Sequence, residues 1–454
     1  MPEVRLTLTD RRRAGVLLHL SSLGEGALGA AGRRFIDWLA DAGFSVWQVL
    51  PVGPPGFDGS PYWLGSDFAG NPAFIDPAEA PEPRGPAWEA FLAEQAHWLE
   101  DYALFTVLQR AHPDSGWTGW PQALRERDPA ALRRAGETYR EAIEAVRVEQ
   151  FAFHEQWRRL REHAHGRGVG LFGDLPIYVA PEGADTWAGR GQFRLDASGL
   201  PSVVAGVPPD YFSADGQLWG NPLYDWDIMR RDRFLHWRRR VAQQLRRFDL
   251  LRVDHFRGLA AHWVVPAGAS TAREGHWQVT PGGELLDALA QDHPGLPLVA
   301  EDLGVITPDV EELRGRHGLP GMHVLQFGFD GSGDNPHLPH MHRHDSVVYT
   351  GTHDNDTLLG WERALDPGTR WRVGFYLRAS PCEIPEAMLR AALGSVARLA
   401  VLTLQDLLGL GAEARFNTPG TTVGNWSWRL PVGVTDAALA ERCLLLNRTY
   451  GRAG

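Results

Sequence analysis

The 454-residue sequence contains only two cysteines, Cys382 and Cys443, which are too few for a framework of disulfide bonds. They also lack the close spacing of cysteines that bind zinc together. Because thiols stay reduced inside cells, we expect a cytoplasmic protein with free cysteines.

Long apolar runs and basic segments are also absent. No stretch approaches the roughly 20 apolar residues that span a bilayer, and residues 1–13 contain no apolar signal core. The formal net charge is −11, from 45 Lys and Arg against 56 Asp and Glu. We therefore expect neither a membrane nor a nucleic acid as a partner. A GxxxxGK[ST] motif is missing too, which argues against phosphate chemistry.

Short apolar runs alternate with helical segments along most of the chain, as in a parallel sheet. Eight strands are predicted at Gly15–Leu20, Phe44–Leu50, Val169–Tyr178, Phe248–Val253, Pro297–Glu301, Gly321–Phe327, Ser346–Gly351 and Leu399–Leu404. Eight strands with intervening helices predict an α/β fold, a (β/α)8 TIM barrel that forms one domain over residues 1–454.

Two long insertions are predicted within this barrel. Residues 52–168 follow the second strand; they start as a Gly- and Pro-rich segment and continue as helices, one of which begins at Pro129. Residues 179–229 follow the third strand as an aromatic-rich loop. This loop is interpreted either as a self-packed surface loop or as a wall on which sugar rings stack. The 18 tryptophans alone favour core packing, so their placement decides between these interpretations.

Three of the predicted strands end in acidic residues, namely Asp254, Glu301 and Asp354. Strand side chains alternate sides, so Arg252 and Asp254 point the same way and should meet each other or a shared polar ligand. For that segment alone, a structural ion pair fits equally well. Chemistry in such barrels lies at the C-terminal strand ends, so three acids there predict a ring of carboxylates around one mouth.

Two carboxylates that face one bond can cleave a glycosidic linkage, with one as acid and the other as nucleophile or base. Two alternatives stay open. A divalent metal could bind Asp254-His255, Glu301-Asp302 and His353-Asp354, although no strand supplies two histidines on one face. The other alternative is a glucan-binding module without catalysis, although three acids are a costly lining for a passive groove.

Several motifs resemble those of one family, the 4-α-glucanotransferases of glycoside hydrolase family 77 in the α-amylase superfamily, which includes amylomaltases and disproportionating enzymes. The segments that resemble its four signature regions are Gly173–Tyr178, Arg252–Gly258, Ala300–Gly304 and Gly351–Asp356. Further similar segments are Ser60–Tyr62, Pro208–Phe212, Trp219–Pro222, Asn417–Gly420 and Asn425-Trp426. The resemblance extends from about Gly15 to Leu430 and implies a barrel without a separate C-terminal β-domain.

The resemblance also implies a role for each matching residue. Asp254 is the expected nucleophile, Glu301 the general acid and then base, and Asp354 the carboxylate that stabilises the transition state. Arg252 is expected to hold Asp254 ionised and to contact substrate. The other expected substrate contacts are Ser60, Tyr62 (stacked on the donor sugar), Asp174 and His353 (bonded to its hydroxyls), Gln217, Trp219 and Asn417.

The implied reaction is the retaining transfer of α-1,4-glucan segments through a covalent glycosyl intermediate, with no metal or cofactor. The implied substrates are maltooligosaccharides, amylose and other α-1,4-glucans, with glucose as an acceptor. Hydrolysis by the same two steps stays open, because the outcome depends on how well loops such as residues 203–226 exclude water from the intermediate.

Overall fold

The computed structural model describes residues 7–56, 59–209, 213–421 and 423–454. Its strands are β1 Arg13–Leu17, β2 Val46–Gln48, β3 Gly170–Leu175, β4 Val203–Val207, β5 Gln217–Pro222, β6 Leu250–Val253, β7 Ala261–Pro266, β8 His276–Val279, β9 Leu298–Ala300, β10 Gly321–Val324, β11 Ser346–Tyr349 and β12 Leu399–Thr403. Its α-helices are α1 Gly32–Asp41, α2 Gly85–Ala111, α3 Gln122–Arg125, α4 Pro129–Thr138, α5 Arg140–Gly166, α6 Ala184–Ala188, α7 Trp226–Arg231, α8 Leu235–Arg247, α9 Gly282–Asp292, α10 Pro308–Arg316, α11 Leu358–Ala364, α12 Pro367–Leu377, α13 Ile384–Gly394, α14 Leu404–Leu407 and α15 Ala437–Thr449.

Eight parallel strands form one curved sheet in the order β10-β11-β12-β1-β2-β3-β6-β9. The two edge strands, β9 and β10, approach each other. The amide of Ala300, at the end of β9, donates to the carbonyl of Pro320, just before β10, at 2.8 Å. The predicted TIM barrel is therefore confirmed. Seven of the eight strands end earlier than predicted, and the fourth ends at Val253 as predicted. For example, the strand predicted at Gly321–Phe327 stops at Val324 and continues as a 3-10 turn.

The barrel interior has an apolar layer and, nearer the C-terminal ends of the strands, a polar layer. Every barrel strand contributes to the buried interior cluster, with Val46, Phe172 and Leu250 on three neighbouring strands. Two residues further on, the same face carries Gln48, Asp174 and Arg252. Strand alternation thus places polar side chains above the packed core, at the C-terminal mouth.

The insertion between β2 and β3 is mainly helical, as predicted. Helix α4 begins at Pro129, and the Asp128 side chain caps it by accepting from the Ala131 amide at 2.8 Å. Helices α2 and α5 share an aromatic-rich core, and α5 also packs Phe153 and Trp157 against the barrel. Most tryptophans lie in these cores, which agrees with the expectation from their number.

A second sheet, antiparallel in the order β5-β4-β7-β8, stands beside the barrel mouth. Strands β4 and β5 lie within residues 179–229, where the sequence predicts only a loop. Strand β4 pairs with β5 and also with β7, which lies between β6 and β9 and pairs in turn with β8. The pairing of β4 with a strand about 60 residues further along the chain is not contained in a local pattern. Residues 210–212 of the Pro208–Phe212 motif lie outside the described residues.

The segment that leads into β6 forms two helices, α7 and α8. They are separated by Asp232, Arg233 and Phe234, the last two of which adopt left-handed backbone angles with φ of 58° and 57°. Phe234 is buried, so its packing holds the break. Within the described ranges, no helix has both the length and the apolarity to cross a bilayer.

Candidate active site

Arg252 lies at the centre of the polar layer. Its Nη1 donates to both carboxylate oxygens of Asp174, at 2.9 and 2.8 Å. The same Nη1 lies 2.9 Å from Oδ1 of Asp254, and Nη2 lies 3.9 Å from Oε2 of Glu301. Arg252 and Asp254 thus meet, as the strand period predicts. One buried guanidinium contacts three carboxylates.

Main-chain bonds hold Asp254 and Glu301 side by side beyond the ends of β6 and β9. The Glu301 amide donates to the Val253 carbonyl at 3.1 Å, and the Phe256 amide donates to the Glu301 carbonyl at 3.1 Å. Between them, His255 adopts a left-handed conformation with φ of 48°. This turn aims the His255 amide at Oε2 of Glu301, at 2.6 Å. The strained residue therefore orients a candidate catalytic acid.

Glu301 is held in a form suited to donating a proton. Burial raises the pKa of its carboxyl to about 8; the Arg252 charge opposes this shift and the Asp254 charge adds to it. The amides of His255 and Leu303 donate to its two oxygens and partly offset the increase. The Glu301 carboxyl is therefore protonated at neutral pH.

Three rings form one wall of the site. Tyr62 stacks on His353 with ring centroids 5.0 Å apart, and Trp426 lies 6.2 Å from Tyr62 and 6.0 Å from His353. The Tyr62 hydroxyl donates to Oδ2 of Asp174 at 2.7 Å, which ties this wall to the Arg252 layer. Aromatic faces of this kind suit the C–H faces of sugars.

Asp354 reaches the mouth from the end of β11 and stays half exposed. Asn417 donates to its Oδ1 at 2.6 Å, while His353 Nε2 lies 3.4 Å from its Oδ2. The Arg415 guanidinium donates to the Asp354 carbonyl at 2.6 Å. Asp354 therefore presents a fixed carboxylate to the open part of the site.

The opposite wall comes from the antiparallel sheet. Trp219 on β5 meets the His255 ring edge to face, with centroids 4.7 Å apart, and its Nε1 donates to the Gln217 side chain at 3.0 Å. Because His255 donates its amide to Glu301, this wall stands on the side of the site where Glu301 lies.

These walls enclose a cavity of about 940 Å³. Ten of the eleven predicted site residues line it, namely Ser60, Tyr62, Gln217, Trp219, Arg252, Asp254, Glu301, His353, Asp354 and Asn417. The exception is Asp174, predicted to bond substrate hydroxyls. Its side chain is fully buried and accepts hydrogen bonds from Arg252 and Tyr62, so Asp174 orients both of these residues.

The cavity also contains residues for which the sequence predicts no part in catalysis or substrate binding. They include Trp63, His255, Arg257, Trp277, Phe327 and Trp426. His255 and Arg257 lie within the Arg252–Gly258 motif, which was a usable signal. The sequence around Trp277 contained no such signal, because only the fold of the antiparallel sheet brings this residue to the cavity. Among the residues that the structure describes, no group of three or more His, Cys, Asp or Glu side chains is arranged to hold a metal ion.

Comparison with known proteins agrees with this geometry. The model of glycoside hydrolase family 77, described as 4-alpha-glucanotransferase, matches residues 17–85 and 78–435. A 4-alpha-glucanotransferase of Thermus thermophilus is 44% identical over 477 residues, covering 93% of this chain and 95% of the relative. One from Synechocystis is 40% identical over 499 residues, covering 98% and 99%.

A solved structure shows the same similarity in three dimensions. The amylomaltase of Streptococcus agalactiae, in complex with acarbose, superposes with a TM-score of 0.92 at 30% identity, covering 98% of this chain and all of that one. Both the sequence match and the shared fold extend over nearly the whole chain. The chain therefore belongs to glycoside hydrolase family 77, the 4-alpha-glucanotransferases.

Proposed function

We propose that this enzyme transfers α-1,4-glucan segments by a retaining double displacement, with Asp254 as nucleophile and Glu301 as acid and base. The observation that carries the proposal is the shared contact of both carboxylates with Arg252, combined with the raised pKa of Glu301. Arg252 balances the charge of Asp254 at 2.9 Å, while burial keeps Glu301 protonated. A carboxylate paired with a guanidinium, next to a buried carboxyl of raised pKa, suits this chemistry.

In the first step, the Asp254 carboxylate attacks the anomeric carbon and the bond to the glycosidic oxygen breaks. Glu301 gives its proton to that oxygen, so the leaving glucan departs with a new 4-hydroxyl. The donor segment stays on Asp254 as an ester. Asp354, fixed by Asn417, stabilises the positive charge that develops on the sugar ring.

In the second step, the 4-hydroxyl of an acceptor attacks the anomeric carbon and displaces Asp254. Glu301 must now accept the hydroxyl proton. The negative charge of Asp254 is one cause of the raised pKa of Glu301, and the ester removes that charge. The pKa of Glu301 therefore falls in the intermediate, which favours its action as a base.

The two walls of the cavity bind different parts of the substrate. Tyr62, His353 and Trp426 stand beside Asp254 and Asp354, so this aromatic wall takes the donor segment. Trp219 and His255 stand beside Glu301, which protonates the leaving sugar, so that wall takes the leaving and accepting sugars. Ser60, Gln217 and Asn417 supply polar contacts within the same cavity.

The substrates we propose are maltooligosaccharides, amylose and other α-1,4-glucans, with glucose as the smallest acceptor. A cavity with aromatic walls and acidic groups supports a neutral polyhydroxy substrate over an anion. The unpaired thiols, the exposed Cys382 and the buried Cys443, support a cytoplasmic location. We also propose that residues 52–168 are an insertion subdomain, and residues 179–229 an aromatic-rich insertion, of the one catalytic domain.

Incubation with maltotriose tests transfer against hydrolysis. Transfer is expected to yield a ladder of longer and shorter oligomers with free glucose, whereas glucose and maltose alone would indicate hydrolysis. Asp254→Asn is expected to abolish both. Glu301→Gln separates the two roles: with an α-maltosyl fluoride donor, whose leaving group needs no acid, it should still release fluoride while Asp254→Asn does not. Equal fluoride release by both variants would contradict the assignment.

A further inference from the structure

Trp277 lies in the catalytic cavity, although it belongs to β8 at the far edge of the antiparallel sheet. The residue is 40% exposed, unlike the buried tryptophans of the two large cores. An exposed indole in a carbohydrate-processing cavity is a candidate stacking surface.

The orientation of this indole is fixed from two sides. The Arg257 guanidinium carbon lies 4.0 Å from the ring centroid of Trp277. Trp263 meets the same ring at 69°, with centroids 5.2 Å apart, and is itself held by a bond from its Nε1 to the Ala272 carbonyl at 2.8 Å. A side chain that is already ordered loses little conformational entropy when a ligand binds.

Arg257 connects Trp277 to the loop that follows the catalytic acid. Its Nη1 donates to the Val305 carbonyl at 2.6 Å, and Nη2 donates to the Thr307 hydroxyl at 3.4 Å. Val305 follows Glu301 by four residues, so Trp277 stands on the same side of the cavity as Glu301. That is the side assigned above to the leaving and accepting sugars.

Trp219 and Trp277 lie on the two edge strands of the same sheet, β5 and β8. Three steps between neighbouring strands separate these edges by roughly 14 Å. A single glucose ring is shorter than this span. Both indoles line one cavity from strands this far apart, so an acceptor that contacts both must contain more than one sugar.

We propose that Trp277, oriented by Arg257 and Trp263, is a second acceptor subsite that binds a sugar of an oligosaccharide acceptor beyond the sugar at Trp219. The subsite favours maltooligosaccharides over glucose as acceptors. The proposal rests on the proposed transfer function and adds a determinant of acceptor length to it.

The test varies the acceptor against a fixed donor. The donor is a maltoheptaoside whose terminal 4-hydroxyl is blocked, so it donates but does not accept. Glucose and maltotetraose are the acceptors. Trp277→Ala is expected to raise the KM for maltotetraose roughly fivefold, the size of one lost aromatic contact, and to leave the KM for glucose and kcat unchanged. Trp277→Phe, which keeps a ring beneath Arg257, is expected to retain most of the affinity for maltotetraose.

Trp371→Ala is the matched control, because Trp371 is 66% exposed on α12 and stacks on Phe375 outside the cavity. It should change neither acceptor KM. An unchanged maltotetraose KM in Trp277→Ala, or an equal rise for both acceptors, would overturn the proposed subsite. If Trp277→Ala does not fold, an equal rise for both acceptors in Trp277→Phe overturns it in the same way. Wild-type enzyme that forms no transfer product with either acceptor would instead contradict the proposed transfer reaction.

Discussion

Arg252 and Asp174 form a buried, paired contact on neighbouring barrel strands, with Nη1 of Arg252 within 2.9 Å of both oxygens of the Asp174 carboxylate. The parallel register of β3 and β6 places the two residues directly opposite each other. Both are nearly excluded from water, so each charge depends on the other. Asp174 therefore fixes the guanidinium that contacts Asp254 and Glu301.

Asp174→Asn is expected to weaken both the fold and catalysis. Loss of one partner leaves the Arg252 charge partly uncompensated in the barrel, which costs about 3 kcal/mol of unfolding free energy. The guanidinium is then less well placed for Asp254, so kcat should fall while the KM for the donor changes little. Urea unfolding and initial transfer rates measure the two effects.

Glu284→Gln is the control for Asp174→Asn, because Glu284 pairs with Arg230 on the exposed surface at 2.6 Å. Surface pairs contribute little to stability. Its unfolding midpoint and kcat should match those of the wild type. A similar small effect of Asp174→Asn would show that Arg252 does not depend on Asp174.

The pH profile of kcat/KM should have a basic limb near pH 8. Burial raises the pKa of Glu301 to about 8 in the free enzyme, and only the protonated form can donate to the leaving oxygen. Activity on natural glucans is therefore present below this pKa and lost as the pH rises through it. With the maltosyl fluoride donor, fluoride release should lose this limb, because it needs no acid. If the basic limb remains with the maltosyl fluoride donor, the group that titrates is not Glu301.

Part of this site is predictable from sequence because its determinants are local. Arg252 and Asp254 meet because strand side chains repeat every two residues. Asp254, Glu301 and Asp354 converge because each follows a strand of one closed parallel sheet, whose carboxyl ends share a mouth.

Other parts depend on contacts between distant segments. The pairing of Asp174 with Arg252 requires the register of two strands that lie 78 residues apart along the chain. Strand β4 also pairs with the distant β7, whose other partner β8 brings Trp277 to the cavity. A local pattern contains neither relationship.

Asp406 is expected to position the loop that presents His353 and Asp354. This buried carboxylate accepts from the Thr350 hydroxyl and the Leu358 amide, both at 2.7 Å, on either side of the loop. Asp406→Asn loses the acceptor for one of these donors and lets the loop shift. The kcat for transfer should then fall about tenfold, since small displacements of catalytic groups are costly. Donor KM should change little.

Asp366→Asn provides the comparison for Asp406→Asn. Asp366 also accepts two amide bonds, from Gly368 and Thr369, but caps the surface helix α12 far from the loop. It should lower the thermal midpoint without a change in kcat. Equal kcat losses in both variants would indicate a general effect of instability and not positioning of Asp354.

Trp426 is expected to bind the donor segment, although the sequence assigns it no role. Its backbone is left-handed, with φ of 61°, and its amide donates to the Phe416 carbonyl at 2.7 Å, which turns the indole toward Tyr62 and His353. Trp426→Ala should raise donor KM roughly fivefold, the size of one lost aromatic contact. Trp428→Ala is the matched control, because Trp428 packs on Phe416 outside the cavity and should leave donor KM unchanged. Kinetics with the blocked maltoheptaoside as the varied donor and glucose as a saturating acceptor measure both. If the two variants have the same donor KM, Trp426 does not bind the donor segment.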